Sequence, residues 1–441
     1  MKKEYRVAII GFGYIGSVIG SVLADQGVKV IGIEKSERII TAVRQAKTPF
    51  NEPGLDELIK KGTQSGNLSV TDDLEAVRGC NVFVITVGTP LSEDFEPDIS
   101  QISQATESIL PYIDEDSTVI IKSTVPPFTT RDVVYPILKK RANVTLAFSP
   151  ERLAEGSAIR EFRSIPIVVG GIDSMSTKVV ADFWRDTMGN EVIEVDSSVS
   201  AEMVKLADNL WIDVNIALAG ELARLSDKLG CDVLQIINAA NSLPKGSSNV
   251  NILTPSVGVG GYCLTKDPWF VQSMGEKYGV DLRMPKTGRE INDSMPAYSA
   301  QEIDAILCQD GGRREDKKIA VLGIAFKNNT GDCRFTPTRP AIERLVELGY
   351  QVEICDPWTQ EHDDRMVTDQ KVEKDVNKAM RGAQCVAFLA GHEDFQRLPI
   401  SHIAKLAAKH ALIFDGRMFY SREKIAEIER YGLRYKGVGR R

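Results

Sequence analysis

A glycine-rich turn near the start of the chain constrains the fold more than any other stretch. The apolar run "RVAII" ends in "GFGYIG", residues 11–16, and is followed by a helical pattern, "SVIGSVLADQG", and by a second apolar run, "VKVIGIE". This order of strand, glycine turn, helix and strand predicts a βαβ unit. Glycines at this spacing permit a tight turn and let the backbone approach a pyrophosphate at the helix N-terminus.

A carboxylate follows at the spacing that a dinucleotide site requires. Glu34 ends the second apolar run, 18 residues after Gly16. An acid at this point binds a ribose hydroxyl and disfavours a 2′-phosphate, so the pattern predicts NAD rather than NADP. The alternative is a packed glycine turn without a ligand. The residues of the turn expected to bind the cofactor are Gly11, Gly13, Tyr14, Ile15 and Gly16.

Apolar runs alternate with polar helical stretches through the first 197 residues. The runs "NVFVITV", "STVIIKS", "VTLAFSP" and "IPIVVGG" predict a doubly wound parallel sheet over residues 1–197. From Ser200 to Leu229 apolar residues recur at helical spacing, with no proline and one glycine. This stretch predicts a long helix that ends at Gly230. Its candidate N-terminal caps are Asp196, Ser197 and Ser198.

A second strand–helix–strand series begins at "KKIAVLGIAFK", after the linker "QDGGRRED". The predicted fold class is therefore α/β, with two Rossmann-like doubly wound domains joined by a long central helix and a helical middle domain. The expected domains are 1–197, which binds NAD, 198–310, which is helical and carries a cysteine loop, and 317–441. Residues 241–257 are expected to form a long polar loop, and the basic tail after Arg434 a solvated end.

Composition and charge narrow the functional classes. The net charge of −7 argues against nucleic-acid and membrane-surface partners, which require a basic face. The seven cysteines include no CxxC pair, which predicts a reducing, cytoplasmic location with no disulfide framework and no metal site. Residues 7–24 carry no charge, as in an export signal or membrane helix, but their regularly spaced glycines favour the βαβ unit.

One cysteine stands in an unusual setting, "SVGVGGYCLTKDPW" at residues 256–269. Gly258, Gly260 and Gly261 let a ligand or another backbone segment come close. Lys266 favours the thiolate of Cys263, whereas Asp267 opposes it unless the carboxylate is engaged elsewhere. The residues alone leave open whether Cys263 is a nucleophile or an inert thiol.

Two further groups of polar residues are candidates for chemistry. Lys205 and Asn209 lie four residues apart and share one face of the predicted long helix; the alternative is a solvated polar face. Glu151 and Glu155 belong to "SPERLAEG", after a predicted strand, where ligand crevices of open sheets lie. These two carboxylates are acid–base groups, substrate ligands, or solvated residues of a surface turn.

These stretches, taken in order, resemble the motifs of the UDP-glucose/GDP-mannose dehydrogenase family over nearly the whole chain. The resemblance implies NAD-dependent four-electron oxidation of C6 of a nucleotide sugar, from alcohol to carboxylate. A thiolate adds to the intermediate aldehyde and makes a tetrahedral thiohemiacetal from which a second hydride can leave. Water then hydrolyses the thioester. The motifs that carry the resemblance are "GFGYIG", "VGTP", "KSTVPP", "SPERLAEG", "AEMVKLADN", "SVGVGGYCLTKD" and "FKNNTGDCRFTP".

The resemblance implies a role for each matching residue. Cys263 is the nucleophile, Lys205 stabilises the oxyanion, and Asp267 assists proton transfer near the cysteine. Asn209 and Thr124 hold a catalytic water. Glu155 is the acid–base group for thioester hydrolysis and Glu151 supports it. The implied cofactor contacts beyond the glycine turn are Glu34, Thr89, Thr124, Lys266 and Arg334; the implied substrate contacts are Glu151, Arg152, Leu153, Lys205, Asn209, Gly258, Gly260, Gly261, Lys327 and the loop 249–258.

The sequence departs from the family pattern at several positions and mixes the features of two branches. "SVGVGGYCLTKD" resembles UDP-glucose dehydrogenases, whereas "SPERLAEG", "DPW" and "REINDSMP" resemble the UDP-N-acetylhexosamine branch, which we favour. The resemblance also implies a homodimer that pairs through the central helices, and a C-terminal domain that binds the UDP-sugar. The departures are Phe128 for a common glycine, Ile212 for arginine, Gly220 for asparagine and Thr265 for proline.

Two other functions are compatible with the same motifs. One is a two-electron NAD-dependent dehydrogenase of the hydroxy-acid or 6-phosphogluconate type, in which Cys263 is incidental. A histidine base of that type is disfavoured because all four histidines fall in the last predicted domain, at positions 362, 392, 402 and 410. The other is a protein that binds NAD without turnover.

Overall fold

The computed structural model describes residues 4–48, 50, 52–92, 96–246 and 248–441. The chain divides into two compact units. The first unit runs up to Asp208 and also includes Trp269–Gly279; the second contains Asn209–Pro268 and Val280–Arg441. Each unit has its own parallel sheet and is described by itself.

An eight-stranded sheet organises the first unit, in the order β3-β2-β1-β4-β5-β6-β7-β8. The chain leaves β1 toward β2 and β3 on one side and resumes at β4 on the other, so the topological switch point lies between β1 and β4. Ligand crevices of open α/β sheets form at such points, beyond the carboxyl ends of the strands. The strands are β1 (Arg6–Ile10), β2 (Lys29–Ile33), β3 (Leu68–Thr71), β4 (Val82–Ile85), β5 (Thr118–Ile121), β6 (Thr145–Phe148), β7 (Ile167–Gly171) and β8 (Val192–Glu194).

Both faces of this sheet are buried. In β1, Val7 and Ile9 pack into one hydrophobic cluster, while Ala8 and Ile10 pack into another. Burial on both faces explains why the strands read as continuous apolar runs rather than as alternating patterns. The covering helices are α1 (Tyr14–Asp25), α2 (Glu37–Arg44), α3 (Leu55–Gln64), α4 (Ser100–Ile109), α5 (Tyr135–Leu138), α6 (Ala158–Phe162) and α7 (Ser174–Met188), with short 3₁₀ or π turns at Leu74–Val77, Leu110–Tyr112 and Thr130–Val134.

One strand runs against the predicted direction. Strand β7 pairs antiparallel with β6, with Ala147 opposite Gly171 and Phe148 opposite Gly170. The other ladders of the sheet, such as β1 with β4 and β7 with β8, are parallel. An apolar run shows that a strand is buried but contains no information about its direction, so the sequence pattern could not reveal this reversal.

The predicted long helix is confirmed. Helix α8 spans Ser198–Leu229 without interruption, a length of 32 residues, or about 48 Å at 1.5 Å per residue. Ser197 caps its start, because Ser197 Oγ accepts a hydrogen bond of 3.2 Å from the Ser200 backbone N–H. Gly230, with φ of +71°, ends it in the left-handed conformation typical of a glycine after a helix.

The second unit contains a six-stranded parallel sheet, in the order β13-β12-β11-β14-β15-β16. Its predicted strand–helix–strand plan is confirmed. The strands are β9 (Pro244–Lys245), β10 (Ser248–Asn249), β11 (Lys318–Leu322), β12 (Gln351–Cys355), β13 (Val372–Glu373), β14 (Cys385–Phe388), β15 (Leu412–Asp415) and β16 (Arg434–Gly437). After α8 the helices are α9 (Val233–Asn241), α10 (Asp267–Lys277), α11 (Met284–Cys308), α12 (Thr338–Glu347), α13 (Glu361–Asp364), α14 (Val376–Met380), α15 (Glu393–Gln396), α16 (Ile400–Leu406) and α17 (Arg422–Arg430), with a 3₁₀ turn at Arg314–Asp316.

Two stretches expected to be irregular or solvated are more ordered than the sequence suggested. The loop 241–257 contains a two-residue ladder between β9 and β10; residue 247 lies outside the described residues. The prediction that the basic tail forms a solvated end is wrong, because Arg440 is buried and donates to Asp232 at 2.9 Å. Lys436 likewise forms a buried ion pair with Asp227 of the long helix. Acidic partners distant in sequence therefore determine the position of the tail.

The part of the chain that the structure describes contains neither a candidate membrane span nor a candidate metal-binding cluster. None of the described helices is long and apolar enough to cross a membrane. Within the same described ranges, no group of three or more histidine, cysteine and acidic side chains is arranged to hold a metal ion.

Candidate active site

The glycine turn after β1 has the geometry that its spacing predicts. Gly11 has φ of +93°, a conformation that other residues rarely adopt. A Cβ placed on Gly16 would lie 2.2 Å from the carbonyl oxygen of Gly11, so only glycine allows the helix start to pack on the turn. Tyr14 and Ile15 form the first turn of α1.

Gly13 is different, because nothing in the protein requires a glycine there. Its φ of −65° suits any residue. A Cβ on Gly13 would meet no described heavy atom within 4 Å. The open space lies at the N-terminus of α1, where backbone N–H groups and the helix dipole favour an anion. The residues of this turn therefore fit the pyrophosphate of a dinucleotide.

Glu34, which follows β2, is held by its own loop. Glu34 Oε1 accepts hydrogen bonds from the backbone N–H groups of Lys35 at 2.8 Å and Ser36 at 3.0 Å. These bonds orient the carboxylate at the carboxyl edge of the sheet. At the same edge, Thr89 Oγ1 donates to the carbonyl oxygen of Thr124 at 2.6 Å, which ties together the loops after β4 and β5.

Tyr14 is hydrogen-bonded to a buried acid, Glu52, that the sequence analysis missed. Its hydroxyl donates to Glu52 Oε2 at 2.5 Å, and the same carboxylate accepts from the backbone N–H groups of Gly156 at 2.6 Å and Ile159 at 3.2 Å. Burial and the Glu52 carboxylate raise the pKa of Tyr14, and the charge of Glu155 raises it further. Glu52 therefore connects the start of α1 to the "SPERLAEG" loop.

Glu151 and Lys205 meet in the first unit. Lys205 Nζ lies 3.7 Å from Glu151 Oε2, and both side chains are largely buried. Glu151 Oε1 also accepts from the backbone N–H of Leu153 at 2.5 Å, which orients the carboxylate. Glu155 acts electrostatically on Tyr14. The structure thus pairs Glu151 with the helix lysine.

Arg152 points to other protein groups. Arg152 Nη2 donates to the carbonyl oxygen of Pro166 at 2.6 Å, and Nη1 lies 3.7 Å from Asp208 Oδ2. These contacts fix the loop after β6 against the strand that follows it.

The glycines around Cys263 face protein atoms. A Cβ on Gly260 would lie 2.5 Å from Phe326 Cβ, and one on Gly261 would lie 2.6 Å from the ring of Phe326. A Cβ on Gly258 would lie 2.8 Å from Pro337 Cβ. Packing of the loop against the residues after β11 therefore accounts for these glycines, and their missing side chains do not by themselves make room for a substrate.

Cys263 lies in a hydrogen-bonded turn at the start of α10. It is a free cysteine and its side chain is exposed. Its carbonyl oxygen accepts from the backbone N–H groups of Lys266 at 3.1 Å and Asp267 at 2.8 Å. Thr265 Oγ1 donates to the Gly261 carbonyl at 2.7 Å. The threonine that departs from the family pattern thus stabilises the turn that presents the thiol.

Asp267 is buried and engaged on both oxygens. Asn209 Nδ2 donates to Asp267 Oδ2 at 2.5 Å, and Lys266 Nζ lies 2.8 Å from Oδ1. The negative charge of the carboxylate is therefore balanced by the adjacent Lys266 ammonium. Asp267 then no longer disfavours a thiolate at Cys263. The structure thus joins Asn209 of the long helix to the Lys266–Asp267 pair beside the cysteine.

Arg289 supports the cysteine turn from helix α11, and the sequence analysis missed it. Its guanidinium, almost fully buried, donates to Asp213 Oδ1 at 2.7 Å and to the Leu264 carbonyl at 3.3 Å. Asn292 Nδ2 donates to the same Asp213 carboxylate at 2.8 Å. Burial raises the pKa of Asp213, and the charge of Arg289 partly offsets this effect by lowering it. The motif "REINDSMP" thus holds the residue that follows Cys263.

The remaining predicted contacts lie beyond the carboxyl ends of the second sheet. The carbonyl oxygen of Arg334 accepts from the Gly261 N–H at 3.1 Å, and its guanidinium pairs with Asp332. Lys327 lies in the loop after β11, where its carbonyl oxygen accepts from Thr330 at 3.0 Å. Arg417 was missed: it donates to the carbonyl oxygens of Leu389 and Phe326, and burial lowers its pKa to about 10.

Two of the other departures also have structural correlates. Phe128 has φ of +77°, and the Phe128 and Thr130 backbone N–H groups donate to the buried Glu202 at 2.7 and 2.8 Å. Burial raises the pKa of Glu202 to about 7. A Cβ on Gly220 would lie 3.2 Å from Met295 Sδ, so close helix packing explains that glycine. Nothing in the structure explains Ile212.

Comparison with protein families matches three consecutive parts of the chain. Residues 5–188 match the NAD binding domain of the UDP-glucose/GDP-mannose dehydrogenase family. Residues 199–294 match its central domain, and residues 320–422 match its UDP binding domain.

Individual relatives cover almost all of the chain. It is 33% identical over 423 residues to a UDP-N-acetyl-D-mannosamine dehydrogenase of Methanocaldococcus jannaschii, covering 95% of this chain and 93% of the relative. It is 30% identical to a UDP-glucose 6-dehydrogenase of Rhizobium meliloti, covering 99% of each chain. The solved UDP-D-ManNAc dehydrogenase of Pyrococcus horikoshii superposes with a TM-score of 0.88 at 30% identity, with 99% of each chain covered.

Proposed function

Because the chain belongs to the UDP-glucose/GDP-mannose dehydrogenase family, we propose that it oxidises C6 of a UDP-N-acetylhexosamine to the uronate, with UDP-N-acetyl-D-mannosamine as the first candidate. Family membership makes it an NAD-dependent nucleotide-sugar dehydrogenase that forms a uronic acid. The relatives of Methanocaldococcus jannaschii and Pyrococcus horikoshii, at 33% and 31% identity, support the choice of sugar. UDP-glucose is the alternative, supported by the Rhizobium meliloti relative at 30% identity.

The observation that supports a four-electron oxidation is the turn that contains Cys263. An alcohol dehydrogenase that stops at the aldehyde needs no thiol. A second hydride can leave C6 only after a nucleophile has made that carbon tetrahedral. Here a free, exposed thiol lies in a turn that is closed by backbone hydrogen bonds and flanked by the buried Asp267.

NAD, when bound, accepts the hydride that leaves C6 in each of the two oxidations. The protein supplies the binding site, with the space at Gly13 and the N-terminus of α1 for the pyrophosphate. The carboxylate of Glu34 is oriented for the adenosine ribose. In the first oxidation the C6 hydroxyl loses its proton and C6 loses a hydride, which leaves the aldehyde.

The thiolate of Cys263 then forms a bond to C6, and the aldehyde oxygen becomes an oxyanion. Lys205 stabilises the oxyanion, which is the usual role of a fixed cation near a tetrahedral centre. Loss of the second hydride restores the C=O bond and leaves a thioester. Water adds to this carbonyl, the C–S bond breaks, and Cys263 leaves as the thiolate. Overall, the alcohol, two NAD⁺ and one water give the carboxylate, two NADH and three protons.

We assign the proton of the attacking water to Glu151. Glu151 is largely buried and its Oε2 lies 3.7 Å from Lys205 Nζ, the residue assigned to the oxyanion. Asn209, through Asp267, and Thr124, through the Thr89 hydroxyl, are held in defined positions, which suits the water-binding role proposed for both.

The test is the number of NADH molecules formed per sugar consumed. UDP-glucose, UDP-N-acetylglucosamine, UDP-N-acetylmannosamine and UDP-N-acetylgalactosamine are offered separately, and the product is identified by mass spectrometry. We expect two NADH per sugar, with the highest kcat/KM for UDP-N-acetylmannosamine. One NADH per sugar and an aldehyde or ketone product would instead indicate a two-electron dehydrogenase.

We also propose that the enzyme is a homodimer that pairs through helix α8. Four large apolar side chains of its second-unit portion are exposed at spacings of seven, seven and four residues, which places them on one face. A helical stripe of this kind commonly packs against a partner helix. The stripe consists of Trp211, Leu218, Leu225 and Leu229.

A charge within this stripe is expected to separate the subunits. Leu225 is 55% exposed in the single chain. The change Leu225→Glu would place a carboxylate in the apolar interface. We expect the mass in solution, measured by light scattering, to fall from dimer to monomer. Lys409→Glu, which adds a carboxylate at an exposed position elsewhere, is the control and should remain dimeric. A wild-type monomer, or a dimeric Leu225→Glu variant, would contradict the proposal.

A further inference from the structure

Lys122 is a buried ammonium group with no role in the scheme above. It follows strand β5, and its side chain is almost fully buried. Lys122 Nζ lies 4.9 Å from the ring centroid of Trp184 and 5.9 Å from that of Phe162. It donates to the carbonyl oxygen of Pro150 at 3.4 Å. Pro150 immediately precedes Glu151, the carboxylate to which we assign the proton of the attacking water.

The charges that face Lys122 come from two other elements. The loop after β6 contributes Glu151 and Arg152, and helix α8 contributes Lys205. Arg152 is itself paired with Asp208. Lys205 Nζ lies 3.7 Å from Glu151 Oε2. One ammonium therefore contacts this loop at the Pro150 carbonyl and another at the Glu151 carboxylate.

We propose that Lys122 is a positioning residue for thioester hydrolysis, which holds the Pro150 carbonyl and so orients the neighbouring Glu151 to accept the proton of the attacking water. The inference rests on the proposed function, because it requires a thioester. It concerns only the second half of the reaction. Hydride transfer and thiol addition involve other residues.

The titration of Lys122 agrees with a role of this kind. Burial lowers the pKa of Lys122 to about 7, and the Glu151 carboxylate partly offsets the effect of burial. A lysine with this pKa is charged in acid and becomes neutral above neutrality, and either form has an N–H group that can donate to the Pro150 carbonyl.

The test compares Lys122→Met, which removes the charge at similar length, with Lys122→Arg, which keeps it. In Lys122→Met we expect a burst of two NADH per active site, followed by steady-state turnover about tenfold or more slower than in the wild type. Mass spectrometry of the quenched protein should show the thioester on Cys263.

Lys122→Arg, which can still donate to the Pro150 carbonyl, should keep a steady-state rate closer to that of the wild type. A steady-state rate that does not fall in Lys122→Met, or burst and steady-state rates that fall by the same factor, would overturn the inference. A wild-type enzyme that forms one NADH per sugar and no thioester would instead refute the four-electron function itself. Unchanged NAD binding in both variants serves as the control for folding.

Discussion

Cys263→Ser is expected to abolish uronate formation while leaving a single round of alcohol oxidation. A serine hydroxyl is ionised far less than a thiol near neutral pH and is a much weaker nucleophile toward the bound aldehyde. The carbon then stays trigonal and the second hydride cannot leave. We expect steady-state formation of two NADH per sugar to fall on the order of 10³-fold or more. About one NADH per active site should still form in the first turnover, measured by stopped-flow absorbance.

The control for this variant is Cys231→Ser, because Cys231 is also a free, exposed cysteine. It lies outside the turn at α10 and should retain wild-type turnover. Mass spectrometry of the quenched wild-type protein should detect a sugar adduct that is absent in Cys263→Ser. A serine variant that still forms two NADH per sugar at a comparable rate would show that Cys263 is not the nucleophile, and would favour a second oxidation in which water, rather than a thiolate, adds to the aldehyde carbon.

Gly13→Ala is expected to weaken NAD binding without unfolding the protein. The added Cβ meets no described protein atom within 4 Å, and the backbone already has φ of −65°. It would occupy the space at the N-terminus of α1 where the pyrophosphate binds. We expect the Kd for NAD, measured by calorimetric titration, to rise by about tenfold or more. The melting temperature without NAD should stay close to that of the wild type.

The matched variant is Gly16→Ala, three residues along the same turn. Its Cβ would lie 2.2 Å from the Gly11 carbonyl oxygen, so the helix must shift. Overpacking of this kind costs about 1–3 kcal/mol, and we expect the melting temperature without NAD to fall by several degrees. If Gly13→Ala bound NAD with the wild-type Kd, the pyrophosphate would not lie at this turn.

Local patterns predicted the elements of both sheets and the long helix. The βαβ unit around residues 11–16, the helix Ser198–Leu229 and the parallel second sheet are confirmed. The patterns that predicted them are local: a strand buried on both faces must be apolar throughout, and a helix repeats its apolar face every three to four residues. Both requirements are visible in the order of apolar and polar side chains along the sequence.

Features that depend on partners distant in sequence were missed. The reversed strand Ile167–Gly171 is one, since an apolar run has no direction. The packing around the Cys263 loop is another: the glycines left open whether a ligand or another segment comes close, and the structure places Phe326 and Pro337 against them. Arg289, which donates to Asp213 and to the Leu264 carbonyl, is a third. A charged residue in a motif does not reveal which partner it meets.

The sequence by itself therefore determined which residue types are available for the chemistry: the glycine turn with Glu34, the cysteine, and the lysine and asparagine on one helix. Only the tertiary structure decided which of them are coupled. It paired Glu151 with Lys205, enclosed Lys122 beneath Trp184, and anchored the Cys263 turn through Arg289. The physical reason is that burial and charge pairing act through space, between groups that the fold brings together from distant parts of the chain.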